Sequence, residues 1–161
     1  MNWVRTLFAA LLFLAPASVS AQAFPALTGR VVDRANLLPP EAVASLSAKL
    51  ARLEAQSQHQ FVIVTLSSIG GRDIAAYSRD LGNFWHIGRV GHDDGALLVV
   101  AVNERKVRIA VANGLLKLLP DARSQRIIDQ VILPEFRKGR MREGIENGSE
   151  AVIVALSKGS Q

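Results

Sequence analysis

At 161 residues the chain has room for one domain once any targeting segment is removed. It holds no cysteine, so the fold must stand on its core rather than on disulfides, and a thiolate nucleophile or soft metal ligand is excluded. The formal charge of +5 and pI ≈ 10.2 do not mark a nucleic-acid binder, because no aromatic residue is interleaved among the basic clusters to stack on bases.

Residues 1–21 have the pattern of an export signal. Arg5 supplies the positive n-region, residues 6–15 an apolar stretch, and Val19-Ser20-Ala21 the small residues of a cleavage site. The stretch is followed by Pro16 and falls well short of the roughly 20 residues a membrane span needs. Cleavage is expected after Ala21, with Ala23 as the neighbouring alternative, leaving residues 22–161 as one domain, periplasmic or secreted. Intact-mass measurement of the periplasmic fraction should therefore find a chain beginning at Gln22 or within Ala23-Phe24. Full-length protein in the membrane pellet would identify the segment as an anchor instead.

In chain order, Arg30-Val31-Val32 reads as a short first strand. Pro39-Pro40 then introduces a helix over 41–54, because proline suits the first turn and Val43, Leu46, Leu50 and Leu53 form a helical stripe. The run QFVIVTL, 60–66, is rich in branched residues and predicts a strand buried on both faces. After the loop 67–72, Asp73 caps a helix over 74–85 whose apolar face holds Ile74, Tyr77, Leu81 and Phe84. Asp93-Asp94-Gly95 is a turn before 96–102, a continuous apolar run that belongs at the centre of the sheet. Asn103-Glu104-Arg105 breaks that run, and 106–111 alternates basic with apolar through Ile109, as a hairpin partner should. Asn113-Gly114 closes it. Asp121 is placed to cap a helix carrying Ile127, Ile128, Val131 and Ile132, which Pro134 is expected to end. A last helix over 140–156 has Gly144 and Gly148 to allow close approach to the sheet. The alternation implies an α/β fold with helices on both faces of a mixed sheet.

Common catalytic signatures are missing: there is no GxxxxGK[ST], GxSxG or HExxH. His59, His86 and His92 are not paired at metal-ligand spacing and read as loop residues. The aspartates say more. Asp33, Asp93, Asp94 and Asp121 all stand at strand or helix boundaries, where the edges of α/β sheets gather ligands, and carboxylates suit hard cations. The same residues also suit turns and caps. Arg137, Lys138, Arg140 and Arg142, with Arg105, Lys106 and Arg108 on the hairpin, make a solvated basic face or a docking surface for anionic lipid headgroups or an acidic partner.

The stretch FWHIGRVGHDDGALLVVAVNERKVRIAVANGLLKLLPD, with Val31-Val32-Asp33-Arg34-Ala35-Asn36-Leu37-Leu38 before it and Ile132-Leu133-Pro134-Glu135-Phe136-Arg137-Lys138-Gly139 and Gly144-Ile145 after it, resembles the TPM domain. The resemblance covers nearly all of the mature chain. It implies that 22–161 form a single TPM domain, a Rossmann-like three-layer helix-sheet-helix sandwich around a mixed β-sheet. It also implies an acidic patch holding a divalent cation, Ca2+ or Mg2+, with Asp33, Asp93, Asp94 and Asp121 as candidate ligands. This chain departs from the family's pattern at Asn113, where an aromatic is usual, at Leu116, where a glutamate is usual, and at Pro120, where a hydroxyl residue is usual. Arg105 stands where the family keeps an arginine and is expected to hold a loop aspartate or meet a phosphate; Trp85 and Phe136 match aromatic positions and read as core anchors. The function implied is an exported accessory module of the cell envelope that binds a protein partner or a divalent cation. The alternative is a weak metal-dependent acid phosphatase, an activity attributed to a plant relative. Nucleic acid is not an expected partner.

Overall fold

A computed structural model describes residues 24–158, so the expected leader, 1–21, lies outside the described residues. The elements are β1 (Val31–Asp33), α1 (Pro40–Ser57), β2 (Gln60–Leu66), α2 (Ile74–Phe84), β3 (Gly95–Ala101), β4 (Lys106–Val111), α3 (Asp121–Ile127), α4 (Leu133–Arg137) and α5 (Met141–Ser157). The strands form one sheet in the order β1-β2-β3-β4, the first three parallel and β4 antiparallel to β3.

Two cores follow from the period of two along the strands. Phe61 and Ile63 of β2 and Ala96, Leu98 and Val100 of β3 face a core built with α1, α3 and α5. Val62, Val64 and Leu66, with Leu97, Val99 and Ala101, face a second core under α2 that includes Tyr77, Leu81 and Trp85. Every residue of β3 is buried, as a central strand covered on both sides requires. The three-layer α/β sandwich is therefore present, with one helix on one face and the rest on the other. Both crossovers step one strand in the same direction, yet α1 and α2 lie on opposite faces. They are consequently of opposite hand, and one departs from the right-handed rule.

Four local expectations are corrected. Phe84 is 57% exposed, and Trp85 takes the buried place beside it, its Nε1 donating to the Pro25 carbonyl at 2.8 Å. Pro120, not Asp121, is the N-cap of α3, and Asp121 makes no side-chain cap bond. Pro134 does not end the helix. A π-helical segment, Ile128–Ile132, in which the Leu133 amide donates to the Ile128 carbonyl, carries the chain into α4, so proline falls in a first turn where no donor is needed. Gly144 and Gly148 serve the neighbouring helices rather than the sheet: a Cβ on Gly144 would lie 2.6 Å from the Phe136 ring, and one on Gly148 would run into Ile132.

Candidate functional site

The parallel register places the expected cation ligands at two ends of the sheet. Asp33 pairs with Thr65 where β1 and β2 finish, whereas Asp93 and Asp94 precede Gly95, opposite Gln60 where β2 and β3 begin. About six residues of strand, roughly 20 Å at 3.3 Å each, separate Asp33 from Asp94. Asp121 sits near the second end, 75% exposed, with Arg108 Nη2 3.9 Å from its carboxylate. One cation held by all four carboxylates does not fit this arrangement. No group of three or more His, Cys, Asp or Glu side chains comes together among the described residues.

Asp33 is occupied by its own loop. Its Oδ1 and Oδ2 accept from the amides of Leu37 and Leu38 at 3.1 and 2.9 Å, and Oδ1 also accepts from the Thr65 hydroxyl. The Thr65 Oγ1 in turn accepts from the Ala35 amide at 3.2 Å. That bonding folds residues 34–38 over the edge of the sheet and allows Asn36 its positive φ of 53°. Asp94 is 4% exposed. Its Oδ1 accepts from the Arg89 amide at 2.6 Å and its Oδ2 from Arg89 Nε at 2.5 Å. Burial pushes the Asp94 carboxyl up, but the hydrogen bonds and charge of Arg89 outweigh it and hold the group below the ordinary carboxylate range. With one oxygen taken by the Arg89 backbone amide and the other by its guanidinium, the carboxylate already has a positive partner that competes with any cation. Asp93 is exposed with φ 49°, and its carbonyl accepts from the Gly114 amide at 3.0 Å.

This second end is a polar scaffold that sequence reasoning missed. Arg30 binds Glu54 through Nε and Nη2 at 2.9 and 2.7 Å, Gln60 Nε2 donates to Glu54 at 3.1 Å, and Gln60 Oε1 accepts from the Gly88 amide at 2.7 Å. Arg89 reaches both Asp94 and the Gln58 side chain. The loop 85–94 is thus tied to the end of α1 and the start of β2. Only the Asp-Gly turn signal was visible in the sequence; the glutamine partners lie 28 and 31 residues away.

At the first end, Glu104 is the carboxylate that matters. Its Oε1 accepts from Ser68 Oγ at 2.6 Å and from the amides of Ile69 and Gly71 at 3.1 and 3.2 Å. The Ser68 hydroxyl and those amides hold the Glu104 carboxyl below its usual range. It closes the loop 67–72 against the β3–β4 turn. Its neighbour Arg105, in the left-handed region at φ 52°, pairs with no aspartate among the described residues, so the first of its two expected roles is not the one it plays.

The basic face is also redistributed. Lys138 and Arg140 both bind Glu135, at 3.2 and 2.5 Å, and hold its carboxyl low. Arg142 binds Glu146 at 2.9 Å and lies 3.8 Å from Glu41. Arg137 instead stands with Arg105 and Lys106 around a cleft of ≈ 580 Å³ floored by Val100, Val107, Leu133, Phe136 and Met141. Phe136 is half-buried there, serving as cleft floor as well as a support for Gly144. A second cleft, ≈ 330 Å³, lies between α2 and β4 and is lined by Arg79, Asn83, Arg108, Asn113 and Asp121.

Comparison with known proteins is consistent across sequence and structure. The family model of the TPM domain matches residues 31–155. The chain is similar to UPF0603 protein YdjH of Bacillus subtilis, with 36% identity over 84 residues. That match takes in 52% of this chain but 31% of YdjH, so the similarity spans about a third of that protein's length. Among solved structures, the N-terminal domain of a P. gingivalis protein superposes with a TM-score of 0.76 at 32% identity, over 81% of this chain and 83% of that one. The BA42 protein of Bizionia argentinensis, at 19% identity and a TM-score of 0.60 over 75% and 82% of the two chains, shares the fold.

Proposed function

Since this chain belongs to the TPM domain family, we propose that it is an exported accessory module of the cell envelope that works by binding a protein partner. The observation that carries the reading is what two of the four candidate carboxylates, Asp33 and Asp94, already do. Both oxygens of Asp33 and both of Asp94 are engaged by protein donors. Groups so engaged shape loops; they are not poised to activate a water or hold a metal against a phosphate ester. The leader-like residues 1–21 support export, and the uncompensated cations around the hairpin cleft support a binding role.

The competing reading, a metal-dependent phosphatase, is separated by direct comparison. Wild type and a variant carrying Asp33→Ala, Asp94→Ala and Asp121→Ala are purified identically and assayed on a phosphate monoester with Mg2+ or Ca2+. Circular dichroism confirms which preparations are folded, and Asp121→Ala alone serves as the variant closest to wild type in stability. Equal rates, at the level of a mock purification, are expected. Substantial hydrolysis by wild type that disappears in a folded variant would establish the phosphatase.

A further inference from the structure

The cleft of ≈ 580 Å³ between the β3–β4 turn and α4 combines an apolar floor with charges of one sign. No salt bridge among the described residues reaches Arg105, Lys106 or Arg137. All three are exposed. Immediately beside them Lys138, Arg140 and Arg142 are matched to Glu135, Glu146 and Glu41. On this side of the hairpin, positive charge is therefore left at the mouth of the cleft while the adjoining basic residues are neutralised.

That confinement decides the kind of ligand. A membrane surface presents its charge as a plane and is best met by a broad basic face, which the neighbouring ion pairs interrupt. A compact acidic ligand needs only the mouth. The backbone adds a second argument. Because the Ala112 amide donates to the Gly95 carbonyl, alternation along the antiparallel ladder turns the amide and carbonyl of Val107 away from β3. Val107 lines the cleft, and no described residue bonds its peptide groups. A peptide can pair with them; an acyl chain cannot.

We propose that this cleft binds an acidic segment of a partner protein, with one apolar side chain on the floor of Leu133, Phe136 and Met141 and flanking carboxylates met by Arg105, Lys106 and Arg137. The assignment rests on the binding-module reading above and gives it a partner chemistry. A second copy of this chain is a poor occupant, since the same three cations would line the approach from both sides.

The probe is a fluorescein-labelled nonapeptide with a central leucine and two glutamates on each side of it, titrated by anisotropy. Saturable binding is expected. Serine in place of leucine should weaken it about tenfold, and replacing the glutamates by lysines should abolish it. Lys106→Glu with Arg137→Glu should weaken it at least about tenfold, with the melting temperature unchanged because both side chains are exposed. Absence of saturable binding, or affinity unaltered in the double variant, overturns the proposal. So does binding of phosphatidylglycerol vesicles that the peptide fails to displace, or a dimer in sedimentation that the double variant dissociates. The phosphatase comparison does not involve the cleft residues, so loss of the module reading and loss of the cleft assignment are separate outcomes.

Discussion

Gly114→Ala should unfold the domain at a temperature roughly 10 °C below wild type, a loss of about 3 kcal/mol. A Cβ at this position would run into the His92 carbonyl oxygen and lie 2.8 Å from that of Asp93. Both are backbone atoms, so no side chain can swing aside. The same substitution strains the Gly114 amide bond to Asp93 at 3.0 Å, which joins the loop 85–94 to the turn after β4. Gly82→Ala is the control, because a Cβ there meets nothing within 4 Å. It lies inside α2, where alanine is favoured over glycine by roughly 0.5–1 kcal/mol. Thermal denaturation of the two variants should move in opposite directions. A Gly114→Ala protein as stable as wild type would show that the two loops do not pack as described.

Asp94→Ala is the second large effect, about 2–3 kcal/mol at neutral pH. The substitution leaves the Arg89 amide without its acceptor and removes a carboxylate that is 4% exposed. Because the folded protein holds the Asp94 carboxyl below its ordinary value, its contribution is complete above the unfolded-state pKa, about 4, and is lost as pH falls through the lower folded value. The stability gap between wild type and variant should accordingly be constant from about pH 7 to 5 and shrink in more acid solution. Asp121→Ala, by contrast, should stay within roughly 0.5 kcal/mol, since its carboxylate is 75% exposed and its nearest cation atom is 3.9 Å away. Urea denaturation across that pH range measures both. A gap that widened on acidification would mean that Asp94 is held neutral rather than charged.

The layered fold was legible because its strands announce themselves locally. QFVIVTL and KVRIAV give the bounds of β2 and β4, and the Asp-Gly turn before the apolar run places β3 at the sheet's centre. What was not legible depends on partners far along the chain or on competition within a turn. Asp73 and Asp121 look alike in sequence, yet Asp73 caps α2 through the Ala76 amide at 2.8 Å while Pro120 takes the cap of α3. Pro134 reads as a stop, and only the π-helical turn before it shows how a helix passes a residue with no amide hydrogen. The aspartates were legible as boundary residues, but which end of the sheet each occupies follows from parallel pairing, which periodicity does not reveal. Charge counting likewise found the basic cluster around 137–142 without showing that Glu135 neutralises part of it.

The carboxylates of Asp33, Asp94 and Glu104 build the fold, and binding is proposed for the hairpin cleft. Amide NMR of 15N-labelled protein comprising residues 22–161, titrated with the glutamate-leucine peptide, tests this most directly. Shift changes should gather at Arg105, Lys106 and Val107 on the turn side and from Phe136 to Met141 on the helix side, with the amides of Leu37, Leu38 and Arg89 unmoved. Changes centred on those last three amides, or a spectrum that the peptide leaves untouched, would contradict it.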